Sequence, residues 1–167
     1  MSDEEARFLS EGLKRYPEAC STLSYFQEQL GRKLLAVLEE RGSWGRLVLR
    51  GEQPFATSLK KNLAATDPYI EATAKGTIDE QATTIELGFW WNCAAVKHPL
   101  VLFAGFYDGP DDLVHLRRLA PIPPGYVKFE PQAAYLGKPA GAEFAVELEA
   151  TNLLDTLLTL SGVIPPA

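Results

Sequence analysis

Leu100-Val-Leu-Phe-Ala-Gly-Phe106 is apolar at every position. An extended segment sends alternate side chains to opposite sides of a sheet, so a strand of this composition has to be buried on both faces. The remainder of the chain must therefore give it neighbours in the sheet and layers above and below. At 167 residues, with 46% hydrophobic and 23% charged residues, the chain is long enough to build one domain with a real core.

The residues ahead of this strand read as its partners. Asp67-Pro68 opens an extended segment through Lys75, and Thr83–Trp91 returns. If Thr77–Glu80 closes the hairpin symmetrically, Glu71 stands opposite Glu86, Thr73 opposite Thr84, Ile70 opposite Leu87 and Ala72 opposite Ile85. Alternation then puts Ile70, Ala72, Ala74, Ile85, Leu87, Phe89 and Trp91 on one side. Glu71, Thr73, Lys75, Thr84, Glu86, Gly88 and Trp90 fall on the other.

Helical signals flank this meander. Ser2 followed by Asp3, Glu4 and Glu5 is a helix start, with Leu9, Leu13 and Tyr16 on one side up to Pro17. A second, stronger helix is expected over Glu18–Arg41. There Leu23, Phe26, Leu30, Leu34 and Val37 recur at three- and four-residue steps, and Gly42 ends the run. Arg46–Arg50 reads as a short strand, and Pro54–Ala65 as a helix through Phe55, Leu59 and Leu63. Asp108–Arg118 reads as a short helix, Tyr126–Glu130 as a strand and Pro131–Gly141 as an irregular return holding Tyr135. Glu143–Ala150 alternates like a half-exposed strand, and Asn152–Leu160 forms a terminal helix. The expected fold is α+β: a mostly antiparallel sheet of five to six strands, its meander at 69–107, packed against a long N-terminal helix. A single domain 1–167 is expected, with 1–42 as the helical part lying on the sheet.

Charge limits the partners. The net charge is −6, and residues 63–167 carry six basic against thirteen acidic side chains, whereas residues 1–62 are close to balanced. A nucleic-acid ligand needs a basic stripe, which the sheet half lacks. No apolar run approaches the ~20 residues of a membrane span, and the acidic start is unlike a secretion signal, so a cytoplasmic location is expected. Cys20 and Cys93 are too few and too far apart for a disulfide framework or a zinc site.

Three groups are candidates for function. The carboxylates Glu71 and Glu86, with Asp108 nearby, could share a proton or hold a metal as in a small nuclease-like hydrolase. Asp108, Asp112 and His115 could ligate a divalent ion. Trp90 lies on the polar side beside Glu86, Glu71 and Thr84, with Gly88 leaving space next to the indole, and this combination suits recognition. A helix or the Tyr135 segment is available to cover it. A ligand pocket lined by Phe89, Trp91, Phe103 and Tyr107 is a further option.

No serine, cysteine or histidine stands in a nucleophile context, and no phosphate loop or cofactor motif is present. The sequence therefore leans away from an enzyme and implies no cofactor. It favours a module, in the manner of an intracellular inhibitor or immunity protein, that docks a basic protein through its acidic sheet. A homo-oligomer is left open.

Overall fold

The computed structural model describes residues 2–59, 69–93, 98–114, 121–129, 135–141 and 144–165. Its elements run α1 (Asp3–Glu40), β1 (Val48–Leu49), β2 (Phe55–Leu59), β3 (Tyr69–Ile78), β4 (Gln81–Cys93) and β5 (His98–Asp108). They continue with α2 (Asp111–Val114), β6 (Val127–Phe129), β7 (Tyr135–Pro139) and α3 (Val146–Leu160). The fold is α+β as the pattern requires. Seven strands, every pair antiparallel, form one sheet in the order β1-β3-β4-β5-β7-β6, and β2 shares the β3 edge with β1.

The doubly apolar strand β5 is flanked on both sides, by β4 and β7, and its Val101, Leu102, Phe103, Ala104 and Phe106 are all at most 1% exposed. One face of the sheet is the main core. Ile70, Ala72 and Ala74 of β3 pair with Phe89, Leu87 and Ile85 of β4, which pair in turn with Leu102, Ala104 and Phe106 of β5. Leu34 and Leu38 from the end of α1 are fully buried, and an added Cβ on Gly31 would lie 2.9 Å from Ile70 Cδ1. Helix α3 contributes Ala150, Leu153, Leu154, Leu157 and Leu158, and Phe144 ahead of it meets Phe89 edge to face at 6.0 Å. Lys33 pairs with Glu147, and Arg41 with Asp155 at 2.8 Å, so ion pairs tie the end of α1 to α3.

The chain divides into two compact units, Met1–Leu30 and Gly31–Ala167. The first is helix from Asp3 onward. Its start is a reciprocal capping box: the Glu5 amide donates to Ser2 Oγ at 3.2 Å, and the Ser2 amide donates to Glu5 Oε2 at 2.7 Å.

Several sequence expectations are corrected. Helix α1 runs unbroken through Pro17 instead of dividing there. The buried position between Leu23 and Leu30 is Gln27, at 5% exposure, while Phe26 is 54% exposed. Residues 55–59 form a strand and not a helix, because the free edge of β3 takes them as backbone partners; the rest of that expected helix, 60–65, lies outside the described residues. Tyr135–Pro139 is a sheet strand rather than an irregular return. Val146–Ala150 opens α3 instead of forming a strand, since the i, i+4 spacing of Val146, Ala150 and Leu154 serves a helix lying on the sheet. The β3–β4 hairpin turns on two residues, not four. Asp79 (φ 51°) and Glu80 (φ 67°) both take the left-handed conformation that a two-residue turn of the I′ class demands, and Ile78 pairs with Gln81.

Candidate functional site

The shorter turn moves the β3–β4 register by two residues from the expected one. A shift of two preserves the faces and changes the partners. Glu71 therefore stands opposite Gly88, and Glu86 opposite Thr73. The two carboxylates are diagonal neighbours, which removes the direct like-charge confrontation the symmetric hairpin would have imposed.

Three rows cross the sheet on the face opposite the main core. The first is Thr73–Glu86–Gly105–Tyr135, the second Glu71–Gly88–Phe103–Gly137 and the third Tyr69–Trp90–Val101–Pro139. The first holds one glycine beside Tyr135 and the second alternates glycines with large side chains, and these glycines build the site. A Cβ on Gly105 would come within 2.3 Å of Tyr135 Cδ1. Only a bare backbone lets the Tyr135 ring lie flat across β5, where its hydroxyl donates to Glu86 Oε2 at 2.7 Å. Gly88 plays the same part for Phe103, whose Cζ would be 2.5 Å from an added Cβ. The space expected beside Trp90 from Gly88 is thus filled by Phe103.

Trp90 lies on the expected side of β4 and is half-buried. It packs against Phe103 at 4.8 Å between ring centroids and meets Tyr135 edge to face at 5.3 Å. Tyr69 and Val127 complete this cluster around buried Val101, Phe103 and Tyr135. Tyr107 belongs to the same side and is 59% exposed. The proposed pocket of Phe89, Trp91, Phe103 and Tyr107 does not form, because register places Phe89 and Trp91 on one face and Phe103 on the other.

Burial sets the electrostatics. Glu86 is only 7% exposed, and loss of water pushes its carboxyl up to about 7. The Tyr135 hydrogen bond opposes this, while the charges of Glu71 and Asp108 add to it. Glu71 is also raised by burial, against a 2.9 Å hydrogen bond donated by Ser58. The hydroxyls of Tyr135 and Tyr69 are pushed up by burial, and the neighbouring glutamates reinforce the shift. Glu86 is therefore a proton-exchanging group near neutrality, held by a tyrosine that stays protonated.

Thr84 is half-buried, pairs with Lys75 and Asp108, and reaches Asp108 Oδ2 at 3.5 Å. Asp108 closes β5 and lines, with Gln81, Tyr107 and Asp111, a shallow depression of about 570 Å³. Asp112 lies in α2, and His115 is outside the described residues, so their expected pairing is not placed. Among the described residues, no three His, Cys, Asp or Glu side chains come close enough together to hold a metal ion. Sequence reasoning missed Tyr135 and Ser58 as partners of the two glutamates. Gly105, a glycine inside an otherwise apolar strand, was the available signal for a close approach. Comparison of the chain with protein-family models, with curated proteins and with solved structures finds no match.

Proposed function

We propose that the protein is a non-enzymatic binding module that docks a basic protein segment on the acidic, aromatic face of its sheet, as an inhibitor or immunity-type protein would. One observation carries this reading. Among the described residues, Glu71, Glu86 and Asp108 have no ion-pair partner, whereas Glu147, Asp155, Asp79 and Glu149 are each paired with a Lys or Arg. A cationic side chain arriving from outside would supply the missing charge. Half-buried Trp90 and exposed Tyr107 offer the rings on which such a chain packs.

The test is capture from native extract on the immobilised protein, followed by affinity measurement on the retained partner. Affinity is expected to fall steeply with added salt. Trp90→Ala is expected to cost about 2 kcal/mol or more of binding energy. A partner held equally well at high salt, and by both Trp90→Ala and Glu71→Gln, refutes the proposal.

The neutral-range proton affinity of Glu86 also suits acid–base chemistry, so a metal-assisted hydrolase using Glu71, Glu86 and Asp108 is the second reading. It requires Mg²⁺ or Mn²⁺ to raise the melting temperature with occupancy, and Glu86→Gln to abolish that rise. An unchanged melting temperature eliminates it.

A further inference from the structure

Strand β5 does not end as simple alternation requires. Ile85 of β4 pairs with Phe106, yet the preceding residue, Thr84, pairs with Asp108, so Tyr107 is the extra residue of a β-bulge. Strict alternation would turn Asp108 toward the main core. The bulge sets it opposite Thr84 instead, on the side that carries Glu86, and Tyr107 belongs to that side too. A phenol ring and the carboxylate next to it in the chain are thereby delivered to one face.

We infer that Tyr107 and Asp108 together receive an arginine side chain of the docking segment, the ring stacking on the guanidinium and the carboxylate pairing with it. This rests on the reading of the acidic sheet face as a docking surface, and it names the side chain that the surface selects.

Four observations support it. First, among the described aromatic side chains of β3, β4 and β5, Tyr107 alone is exposed, at 59%, whereas Tyr69, Phe89, Trp90, Trp91, Phe103 and Phe106 are buried or half-buried. Second, Asp108 is exposed as well, and its one side-chain partner among the described residues is the Thr84 hydroxyl at 3.5 Å, the long limit of a hydrogen bond. Third, the two residues line the depression of about 570 Å³ with Gln81, Ala82, Gly109 and Asp111, and Gln81 Nε2 donates to the Gly109 carbonyl at 2.8 Å, so the end of the hairpin holds the wall in place. Fourth, the charges of Glu71 and Asp108 both act on Glu86, which makes the surroundings of the depression one continuous negative field.

Arginine fits this pair better than lysine does. Its planar fork can lie on a ring and still direct two N–H donors at a carboxylate, whereas an ammonium is a compact charge that holds its water more tightly.

The test is an NMR titration of the full chain at low salt with two capped peptides of equal charge, tri-arginine and tri-lysine. Tri-arginine is expected to bind at least about threefold more tightly and to move the Tyr107 ring signals. Tyr107→Ala and Asp108→Asn are each expected to remove that preference, while Tyr107→Phe keeps it. Glu52→Gln, which takes the same charge from the β1–β2 connection, is expected to bind as wild type. Both key side chains are exposed, so an unchanged urea midpoint is expected for each variant, and either variant alone decides the outcome. Equal affinity for the two peptides, or a preference that survives Tyr107→Ala or Asp108→Asn, overturns the inference. If Trp90→Ala and Glu71→Gln abolish peptide binding while Tyr107→Ala does not, the docking face stands and the arginine site falls. If neither peptide binds, the arginine site also falls, and capture of a salt-sensitive partner still decides the docking face separately.

Discussion

Glu86 is the carboxyl pushed furthest from its ordinary range among the described residues, and stability follows from it. Its proton is held more tightly in the folded protein, up to about 7, than in an unfolded chain, where the ordinary value is 4.5. The folded state therefore binds more protons between those values, so stability falls as pH rises through that window and levels off above it. The loss is of order 3 kcal/mol if the whole shift is expressed. Glu86→Gln keeps the shape and removes the buried charge. In urea titrations it is expected to flatten the pH dependence and to match or exceed wild type at pH 8; a variant with the wild-type slope would contradict the assignment. Gly105→Ala places a methyl where the Tyr135 ring lies and separates that ring from Glu86. A loss of ~2 kcal/mol or more is expected at pH 8, combining overpacking with a broken hydrogen bond to a charged group.

At the scale of elements, the β3–β4 hairpin shows what hydrophobic alternation determines and what it leaves free. Period two assigns each side chain to a face, and all the face assignments along 70–75 and 84–91 hold. It does not choose between registers that differ by two. The turn made that choice, through two non-glycine residues in the left-handed region; Asp79 tolerates that conformation, but Glu80 does not advertise it. Glu80→Gly relieves one of the two strained positions and is expected to stabilise the hairpin by about 0.5–1 kcal/mol, seen as a higher urea midpoint with an unchanged slope. The same ambiguity explains β2. Phe55 and Leu59 are four apart, which suits a helix, yet Phe55, Thr57 and Leu59 also alternate, and the open edge of β3 decided in favour of pairing. Strand β7 was hidden because Gly137 and Pro139 are poor strand formers, and its place between β5 and β6 outweighs that preference.

For the whole molecule, the asymmetry of charge acquires a location. The C-terminal end of α1 (Gly31–Glu40) and helix α3 take the main core face, and Glu71, Glu86 and Asp108 lie on the reverse. If a cationic segment binds there, it stabilises ionised Glu86 and displaces its proton. Affinity for the captured partner is then expected to increase from pH 6 to pH 8, and Glu86→Gln to suppress that increase. Binding that weakens over the same range would place the contact elsewhere.

Composition and alternation alone determined the α+β class, the doubly buried strand, the two sides of the meander and the acidity of the sheet half. These are local properties: they depend on the order of side chains along one segment. Which carboxylate meets which hydroxyl, the continuity of α1, and the passage of Tyr135 across Gly105 were decided only in three dimensions. Each of them joins segments far apart in the chain, and it is backbone pairing at strand edges, turn conformation and close packing that bring those segments to hydrogen-bonding distance.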